Sequence, residues 1–457
     1  MKIAHIAPPW LAIPPKNYGG TEIVLYNLIE EQVAQGHDVT LFAPGDARTS
    51  ARLISFFPRS LIDAGVPWQG HLKAYYHLNK AVEYIKNHDF DIVHTHLSSS
   101  ADMYLFPLTA QLATPHVMTL HSNFPFDHVQ SWTGDADASY MEWASFVPMI
   151  AISEHARSRR TLPLNIVGVV HHGLPLVHFQ PTVKQPERFF AWLGHFVPEK
   201  GPHLAIEAAK KAGVPLMLAG TIDQSVQESV DYFEQMIKPH IDHQQVTYIG
   251  PVDMEQKMDL LSRACGLLNP IQWEEPFGMV MIEAMALGCP VIAFDRGAAP
   301  EIVAHGRSGF LVEGVNEMVD CIARIDELDR LAVHTHAAHH FTSRVMAEKY
   351  TRVYQKTIED AMGKVVSGHY SSKDAPTVIS LLTRALMPLS LTHVKIDASA
   401  LKLKQASRVA QNTIEVGSGV QEIINKPPLS TIDRLREKEA KHRTTRARIK
   451  GRVKENA

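Results

Sequence analysis

The chain of 457 residues has few cysteines and no long apolar run. Its three cysteines, Cys265, Cys289 and Cys321, show no paired spacing, which excludes a disulfide framework and fits a reducing compartment. No run of about 18 apolar residues occurs, so no membrane-spanning helix is expected. The N-terminus does not match a secretory signal, because Pro8 and Pro9 interrupt its short apolar stretch. We therefore expect a cytoplasmic protein.

Charge is unevenly distributed, although the net charge of the whole chain is only −3. Residues 366–457 hold 17 Lys and Arg against 8 Asp and Glu, a net charge of +9, while residues 1–365 carry −12. The last stretch of this basic tail, residues 431–457, has few apolar residues to bury, so we expect an exposed helix or a disordered extension. Peripheral contact with an anionic membrane is one hypothesis for it. Nucleic acid is not expected as a partner, because the tail has almost no aromatic residues to stack on bases.

Short apolar runs alternate with amphipathic segments along most of the chain. Such runs of four to eight residues are typical of strands buried on both faces of a parallel sheet. They form two series, from residue 2 to 153 and from 189 to 294, separated by the proline-rich segment 173–189. This β-α-β rhythm predicts doubly wound α/β architecture, with an N-terminal domain at about 1–175 and a C-terminal domain at about 186–340.

The most informative segment lies between two predicted strands, at residues 269–294. A helix is predicted to begin near Met279, directly after Gly278. Helix N-termini present unpaired amides and a partial positive charge, so this one is suited to hold phosphate. Glu275 precedes the helix and Glu283 lies about one turn inside it, which allows one carboxylate to reach a sugar and the other a ribose. Such a spacing also arises by chance on capped, solvated helices, but here it brackets Pro-Phe-Gly.

The string E-P-F-G-M-V-M-I-E at 275–283 resembles the E-x7-E signature of retaining glycosyltransferases with the GT-B fold, glycosyltransferase family 4. Further segments resemble motifs of the same family, in the same order. They are YGGTE at 18–22, DIVHTH at 91–96, VMTLH at 117–121, AISEHAR at 151–157, GHFVPEKG at 194–201 and RGAAPEIV at 296–303. The resemblance covers roughly residues 1–365.

The resemblance implies two Rossmann-like domains facing each other across a cleft, with an N-terminal acceptor side and a C-terminal nucleotide side. It implies transfer of a sugar from a nucleoside diphosphate sugar to an acceptor hydroxyl, with retention at the anomeric carbon and without a metal or other cofactor. The segment 341–365 is expected to return as a helix to the first domain. Catalytic roles fall on His121, Lys200 and Glu275, and donor-binding roles on Gly19, Gly20, His195, Gly278, Met279, Val280 and Glu283.

His195 departs from the family pattern, which usually has Arg at this position. Arg is always charged and binds in a bidentate manner, whereas His does neither. If the contact is kept, a bound diphosphate should raise the pKa of His195 above about 6.5. The histidines of 334–340 and the pair His94-x-His96 match metal-ligand spacing only weakly, so no metal site is predicted.

Two alternative functions remain open from the sequence. A GT-B epimerase would act on a nucleotide sugar without an acceptor, and product analysis without added acceptor separates it. A non-catalytic GT-B binding module would use the basic tail as its working part, and it would not hydrolyse labelled sugar nucleotides. The sequence does not name the sugar, the nucleotide or the acceptor, which is a saccharide, a lipid or a small molecule.

Overall fold

The computed structural model describes residues 1–16, 19–110, 112–123, 144–158, 164–181 and 185–367, with side chains to residue 362. The predicted basic extension therefore lies outside the described residues, except for the backbone of its first two positions. None of the helices in these ranges is both long and apolar enough to cross a bilayer.

Strands β1 to β7 are Lys2–Ile6, Asp38–Phe42, Arg52–Ile54, Ile92–Leu97, His116–Leu120, Met149–Ala151 and Ile166–Val169. Strands β8 to β13 are Phe190–His195, Leu216–Thr221, Val246–Tyr248, Gly266–Asn269, Val291–Phe294 and Gly309–Val312. The α-helices of the described residues, α1 to α12, are Gly20–Ala34, His71–Lys86, Leu105–Thr109, Glu154–Ser158, Pro202–Ala212, Gln227–Tyr232, Met254–Arg263, Met279–Ala286, Ala299–Ile302, Val315–Ala323, Arg330–His340 and Ser343–Ser367.

The N-terminal sheet is parallel, with the strand order β3-β2-β1-β4-β5-β6-β7. Side chains alternate between its faces with period two. Ala4 and Met118 lie on the face covered by α2. Ile3 and Val117 lie on the opposite face, in a cluster with residues of α1 and α12. Both faces are therefore buried, which explains why these strands read as nearly continuous apolar runs.

The C-terminal sheet is also parallel, with the order β10-β9-β8-β11-β12-β13. Its central strands, β8 and β11, are covered on both sides by apolar side chains. The strand order reverses between β8 and β11, and ligands of open parallel sheets bind outside the carboxyl ends of the strands at such a switch point. The residues that follow these two strands are therefore the first place to search for a site.

Helix α12 belongs to the core of the N-terminal sheet although it follows the C-terminal one in the chain. Met346, Tyr350 and Tyr354 of this helix are buried against β1, β4 and β5. The hydroxyl of Tyr350 lies 3.0 Å from Thr119 Oγ1 of β5. Burying two tyrosines and their hydroxyls requires polar partners on the sheet.

Candidate active site

The start of helix α8 is shaped by a glycine that no other residue replaces without strain. Gly278 precedes the helix with φ of 95°, and a Cβ there would lie 2.5 Å from Met281 Cε. The first amides of the helix, at Met279 and Val280, have no carbonyl partner within the helix itself. Together with the helix dipole they form a place where an anion is stabilised.

Lys200 and Glu275 meet at this helix start. Lys200 ends a short 3-10 turn after β8, and the next residue, Gly201, packs so tightly that a Cβ would lie 2.0 Å from Pro270 O. The Lys200 ammonium forms an ion pair with Glu275 Oε2, which also accepts a hydrogen bond from Trp273 Nε1 at 2.9 Å. The ammonium lies 5.2 Å from the Trp273 ring. A cation is thus held by the loop that leads into α8.

Glu283 is buried inside α8, where its side chain is only 7% exposed. Lys257 of α7 reaches it with an Nζ to Oε1 distance of 2.6 Å. A buried carboxylate needs such a partner, because an isolated buried charge is very costly. A carboxylate accepts hydrogen bonds on both oxygens, so this pair still has capacity for hydroxyl groups. We call Lys200, Glu275, Lys257 and Glu283 the ion-pair side.

His195 is the last residue of β8, five positions before Lys200. Burial and the positive charge of Lys200 lower its pKa below 6.5, and Asp223 opposes this only in part. The ligand-free value that the sequence analysis assumed, about 6.5, is therefore too high. His195 starts mostly neutral at pH 7, and an anion has to raise its pKa from that lower starting point.

His121 follows the end of β5 and belongs to a group of histidines on the N-terminal sheet. Its Nε2 lies 3.0 Å from His96 Nδ1, and its ring stacks on His172 with 5.4 Å between centroids. Its Nδ1 is buried and has no hydrogen-bond partner within the described ranges. Burial lowers the pKa of His121 to about 3, so the ring is neutral at physiological pH. We call His5, His94, His96, His121 and His172 the histidine side.

Gly19 and Gly20, two of the predicted donor-binding residues, lie at the start of the first helix. Gly19 precedes α1 and Gly20 is its first residue. The helix also buries Glu22, whose pKa burial raises to about 7, and the charge of Asp102 acts in the same direction. Gly19 and Gly20 therefore lie close in sequence to a carboxyl group with a pKa near neutral pH.

Several polar contacts join the loop before α8 to the N-terminal domain. Ser153 Oγ donates to Pro276 O at 2.7 Å, and Asn123 Nδ2 donates to Glu274 O at 2.8 Å. Phe277 of the same loop lies edge-on to His172, with 4.9 Å between ring centroids. Through His172, the loop that carries Glu275 is linked to His121. The structure thus brings the ion-pair side and the histidine side to the same region.

Glu301 makes a second connection between the domains. Its carboxylate accepts from the amides of Glu154 and His155, at 2.7 and 2.6 Å, and lies 2.9 Å from His171 Nε2. The carboxylate thereby caps the first turn of α4, where negative charge is favourable. The RGAAPEIV segment contributes a domain contact through this residue.

Two histidine groups bear on the question of a metal. His334 and His336 contact the carbonyls of Ala286 and Ile302, at 2.6 and 2.9 Å. Among the described residues, His5, His94 and His96 have ligand nitrogens within 4.8 Å of one another. However, these nitrogens have protein hydrogen-bond partners, as detailed below, so the donor set is accounted for without an ion. The absence of a metal requirement remains a prediction.

The fold and this site define a class of two-domain α/β protein in which the loop before helix α8 of the C-terminal domain contacts the N-terminal domain. Two family models match the chain, Glycosyltransferase Family 4 over residues 18–173 and Glycosyl transferases group 1 over residues 176–334. The chain belongs to this family of GT-B glycosyltransferases, as the sequence motifs predicted.

Individual relatives are distant. The chain is 22% identical over 395 residues to spore coat protein SA of Bacillus subtilis, covering 78% of this chain and 100% of that protein. It is 30% identical over 187 residues to the D-inositol 3-phosphate glycosyltransferase of Mycolicibacterium smegmatis, covering 38% of this chain. That match takes in only 43% of the mycobacterial enzyme, less than half of its length.

Solved structures confirm the GT-B fold. Sucrose-phosphate synthase from Thermosynechococcus elongatus superimposes with a TM-score of 0.65 at 20% identity, over 79% of this chain and 100% of that one. HepE from Anabaena, solved with UDP and glucose, gives 0.59 at 19% identity, over 78% and 99%. At these identities the similarity establishes the architecture of the described domains.

Sequence reasoning found the motif residues but missed their partners. Trp273 and Lys257 give no motif signal, because each acts through a contact that only the fold creates. Gln32 and His5 also went unassigned. The signal that was available for His5 is the alternation of polar residues on neighbouring strands, His5, His94-x-His96 and Thr119-x-His121.

Proposed function

We propose that this glycosyltransferase moves a sugar from a nucleoside diphosphate sugar to an acceptor hydroxyl with retention of the anomeric configuration. The observation that carries the proposal is the ion pair of Lys200 and Glu275, which lies in the loop that leads into α8 and its first amides, those of Met279 and Val280. Positive charge and free amide donors in this arrangement support the stabilisation of a diphosphate leaving group.

In the proposed reaction, the bond between the anomeric carbon and the diphosphate oxygen breaks, and the electron pair leaves with the diphosphate. Lys200 and the first amides of α8 stabilise that developing charge. The acceptor oxygen forms a bond on the face that the diphosphate leaves, and its proton passes to the departing phosphate oxygen. Glu275 orients the sugar. Because the leaving group accepts the proton, the site needs no strong base.

Glu283 is proposed to accept hydrogen bonds from the ribose of the donor. Its burial and its pairing with Lys257 hold the carboxylate in a fixed position within α8. HepE has been solved with UDP and with UDP-glucose, and this supports UDP-sugars as the first donors to test. Contacts between the loop before α8 and the N-terminal domain support a closed cleft that excludes water during transfer.

A thermal-shift screen of UDP-, GDP- and ADP-sugars tests donor binding, because a ligand that binds the folded state raises its stability by mass action. The best donor, labelled in the sugar, is then incubated with the protein, with and without saccharide acceptors. We expect slow hydrolysis without acceptor and a transferred sugar of unchanged anomeric configuration with one. The variant Glu275→Gln should show little of either.

Several results would contradict the proposal. Release of an isomerised sugar without acceptor would indicate an epimerase. No thermal shift with any nucleotide sugar, together with no hydrolysis, would favour the binding module. A transferred sugar of inverted anomeric configuration would refute only the retention of configuration and would leave the transfer reaction standing.

A further inference from the structure

Three neighbouring strands present polar side chains on one buried face of the N-terminal sheet. In the parallel register, His5 of β1 lies beside His94 of β4, and His96 of β4 lies beside Thr119 of β5. His121 is two residues beyond Thr119, so period-two alternation directs it to the same face. Helices α1 and α12 cover this face.

A continuous chain of hydrogen bonds runs across this face to His121. Gln32 Oε1 of α1 lies 2.8 Å from His5 Nε2, and His5 Nδ1 lies 3.1 Å from His96 Nε2. His96 Nδ1 in turn lies 3.0 Å from His121 Nε2. Gln32, His5 and His96 are all buried.

The amide of Gln32 also contacts the returning helix. Its Nε2 donates to the hydroxyl of Tyr354 at 3.2 Å, which leaves Oε1 facing His5. The Tyr354 hydroxyl lies 2.6 Å from His94 Nδ1, and His94 Nε2 lies 2.7 Å from Thr119 Oγ1. Both nitrogens of His94 are therefore occupied by hydroxyl groups.

With the Gln32 amide in this orientation, the direction of every bond in the chain follows from the first one. Gln32 Oε1 only accepts, so His5 Nε2 must carry the proton. A neutral imidazole has one donor and one acceptor, so His5 Nδ1 accepts from His96 Nε2–H, and His96 Nδ1 accepts from His121 Nε2–H. The rings are neutral because burial lowers the pKa of His5 to about 4 and that of His96 well below 6.5.

We propose that Gln32, His5 and His96 are positioning residues that hold His121 in its Nε2–H tautomer, so that Nδ1 of His121 accepts a hydrogen bond from a hydroxyl of the bound sugar. The recognition of a sugar rests on the proposed function, whereas the tautomer does not. Nδ1 of His121 is buried and has no partner among the described residues, and a sugar hydroxyl is a donor that matches it. Reversing the Gln32 amide would reverse every bond and present a donor instead.

Heteronuclear NMR of the ring nitrogens, on ligand-free full-length protein with isotope-labelled histidine, reads the tautomer directly. The wild type should show His121 protonated at Nε2 and bare at Nδ1, with signals assigned through His121→Ala. Gln32→Met keeps the size of the side chain and removes its acceptor, so it should give a mixture of tautomers. Gln35→Met, an exposed position at the end of the same helix, should leave the spectrum unchanged.

A binding measurement supplies the functional readout. Gln32→Met should weaken binding of UDP-glucose by roughly fivefold to tenfold, the effect of one hydrogen bond, and leave UDP binding unchanged. A wild-type His121 protonated at Nδ1, or a tautomer unaffected by Gln32→Met, would overturn the proposal whatever the activity of the enzyme. Changes in the His5 and His96 signals on adding EDTA would show a bound metal and also overturn it.

Discussion

The two sides of the candidate site bury polar groups in opposite ways. On the histidine side, the described ring nitrogens are largely satisfied by one another, by hydroxyls and by Gln32, and the rings are neutral. On the ion-pair side, Lys200 faces Glu275 and Lys257 faces Glu283, so charge is balanced by charge. The first arrangement fixes which atoms donate and which accept hydrogen bonds. The second arrangement holds charged groups in fixed positions.

This difference fits the two parts of a nucleotide sugar. A diphosphate carries negative charge and is stabilised by an ammonium and helix amides. A sugar carries only hydroxyls, whose recognition depends on donors and acceptors being placed in the right order. We infer that the C-terminal side binds the nucleotide diphosphate, with Glu275 reaching the sugar from that side, and that the N-terminal side recognises sugar hydroxyls through His121.

The largest expected difference between the two sides is in how acid affects the stability of the fold: the neutral histidines should make the folded protein sensitive to acid. The pKa of His5 falls to about 4 and that of His121 to about 3, so below pH 6.5 the unfolded chain binds more protons than the folded one. The free energy of unfolding should therefore have its full value above about pH 6.5 and should decrease as the pH is lowered toward 4. Each histidine contributes up to roughly 1.4 kcal/mol per pH unit.

Two carboxyls act in the opposite direction. Burial raises the pKa of Glu22 to about 7 and that of Asp102 to about 6, so the folded chain holds extra protons there. These two carboxyls offset the proton uptake of at most two of the five histidines on the histidine side. Acid should therefore still destabilise the folded protein. Urea unfolding between about pH 5 and 8 measures the slope. His5→Gln should reduce this slope by the equivalent of about one proton taken up on unfolding. The control His178→Gln, at an exposed position, should leave the slope unchanged. A free energy of unfolding that does not depend on pH would contradict the account.

The next largest effect concerns Lys200. Lys200→Ala removes the cation that is paired with Glu275 before α8, and loss of one such group should lower kcat by roughly 100-fold to 1,000-fold. Lys238→Ala, which removes an exposed lysine paired with Glu234 in the same domain, serves as the matched control and should have almost no effect. Steady-state kinetics with the donor found by the screen decides. Equal rates for the two variants would remove Lys200 from the mechanism.

Changes at the two signature glutamates should be smaller and should differ from each other. Glu283→Ala should weaken donor binding and Glu275→Ala should lower turnover, each by about 1.5–3 kcal/mol, the cost of a hydrogen bond to a charged group. Glu234→Ala, at an exposed ion pair, is the control. Calorimetry gives the affinity and single-turnover kinetics gives the rate. Wild-type behaviour in both variants would refute the assigned roles.

The smallest effect belongs to His195. Its pKa starts below 6.5, and a bound diphosphate should raise it, so affinity should fall as pH rises from the ligand-free value to the value in the complex. His195→Arg should remove this dependence, and His195→Ala should weaken binding most at low pH. Calorimetry between about pH 5 and 8 measures it. Parallel profiles for the wild type and His195→Ala would indicate that Lys200 and the amides suffice.

The fold and the charged motif could be predicted from the sequence because each rests on local signals. Apolar runs located most of the central strands, and Gly278 with its flanking glutamates located the helix start. Strand β3 was not predicted, because its three residues lie at the sheet edge and are not fully buried. The chain from Gln32 to His121 was not predicted either, because its members are 25 to 91 positions apart in sequence and meet only through strand register.

The division between the two sides is tested most directly by calorimetry with the preferred nucleoside diphosphate, alone and carrying its sugar. Lys200→Ala should weaken binding of both ligands by a similar factor, because both carry the diphosphate. His121→Ala should weaken only the sugar-bearing ligand and leave the affinity for the bare nucleotide at the wild-type value. Equal losses for both ligands in His121→Ala, or loss confined to the sugar-bearing ligand in Lys200→Ala, would contradict the account.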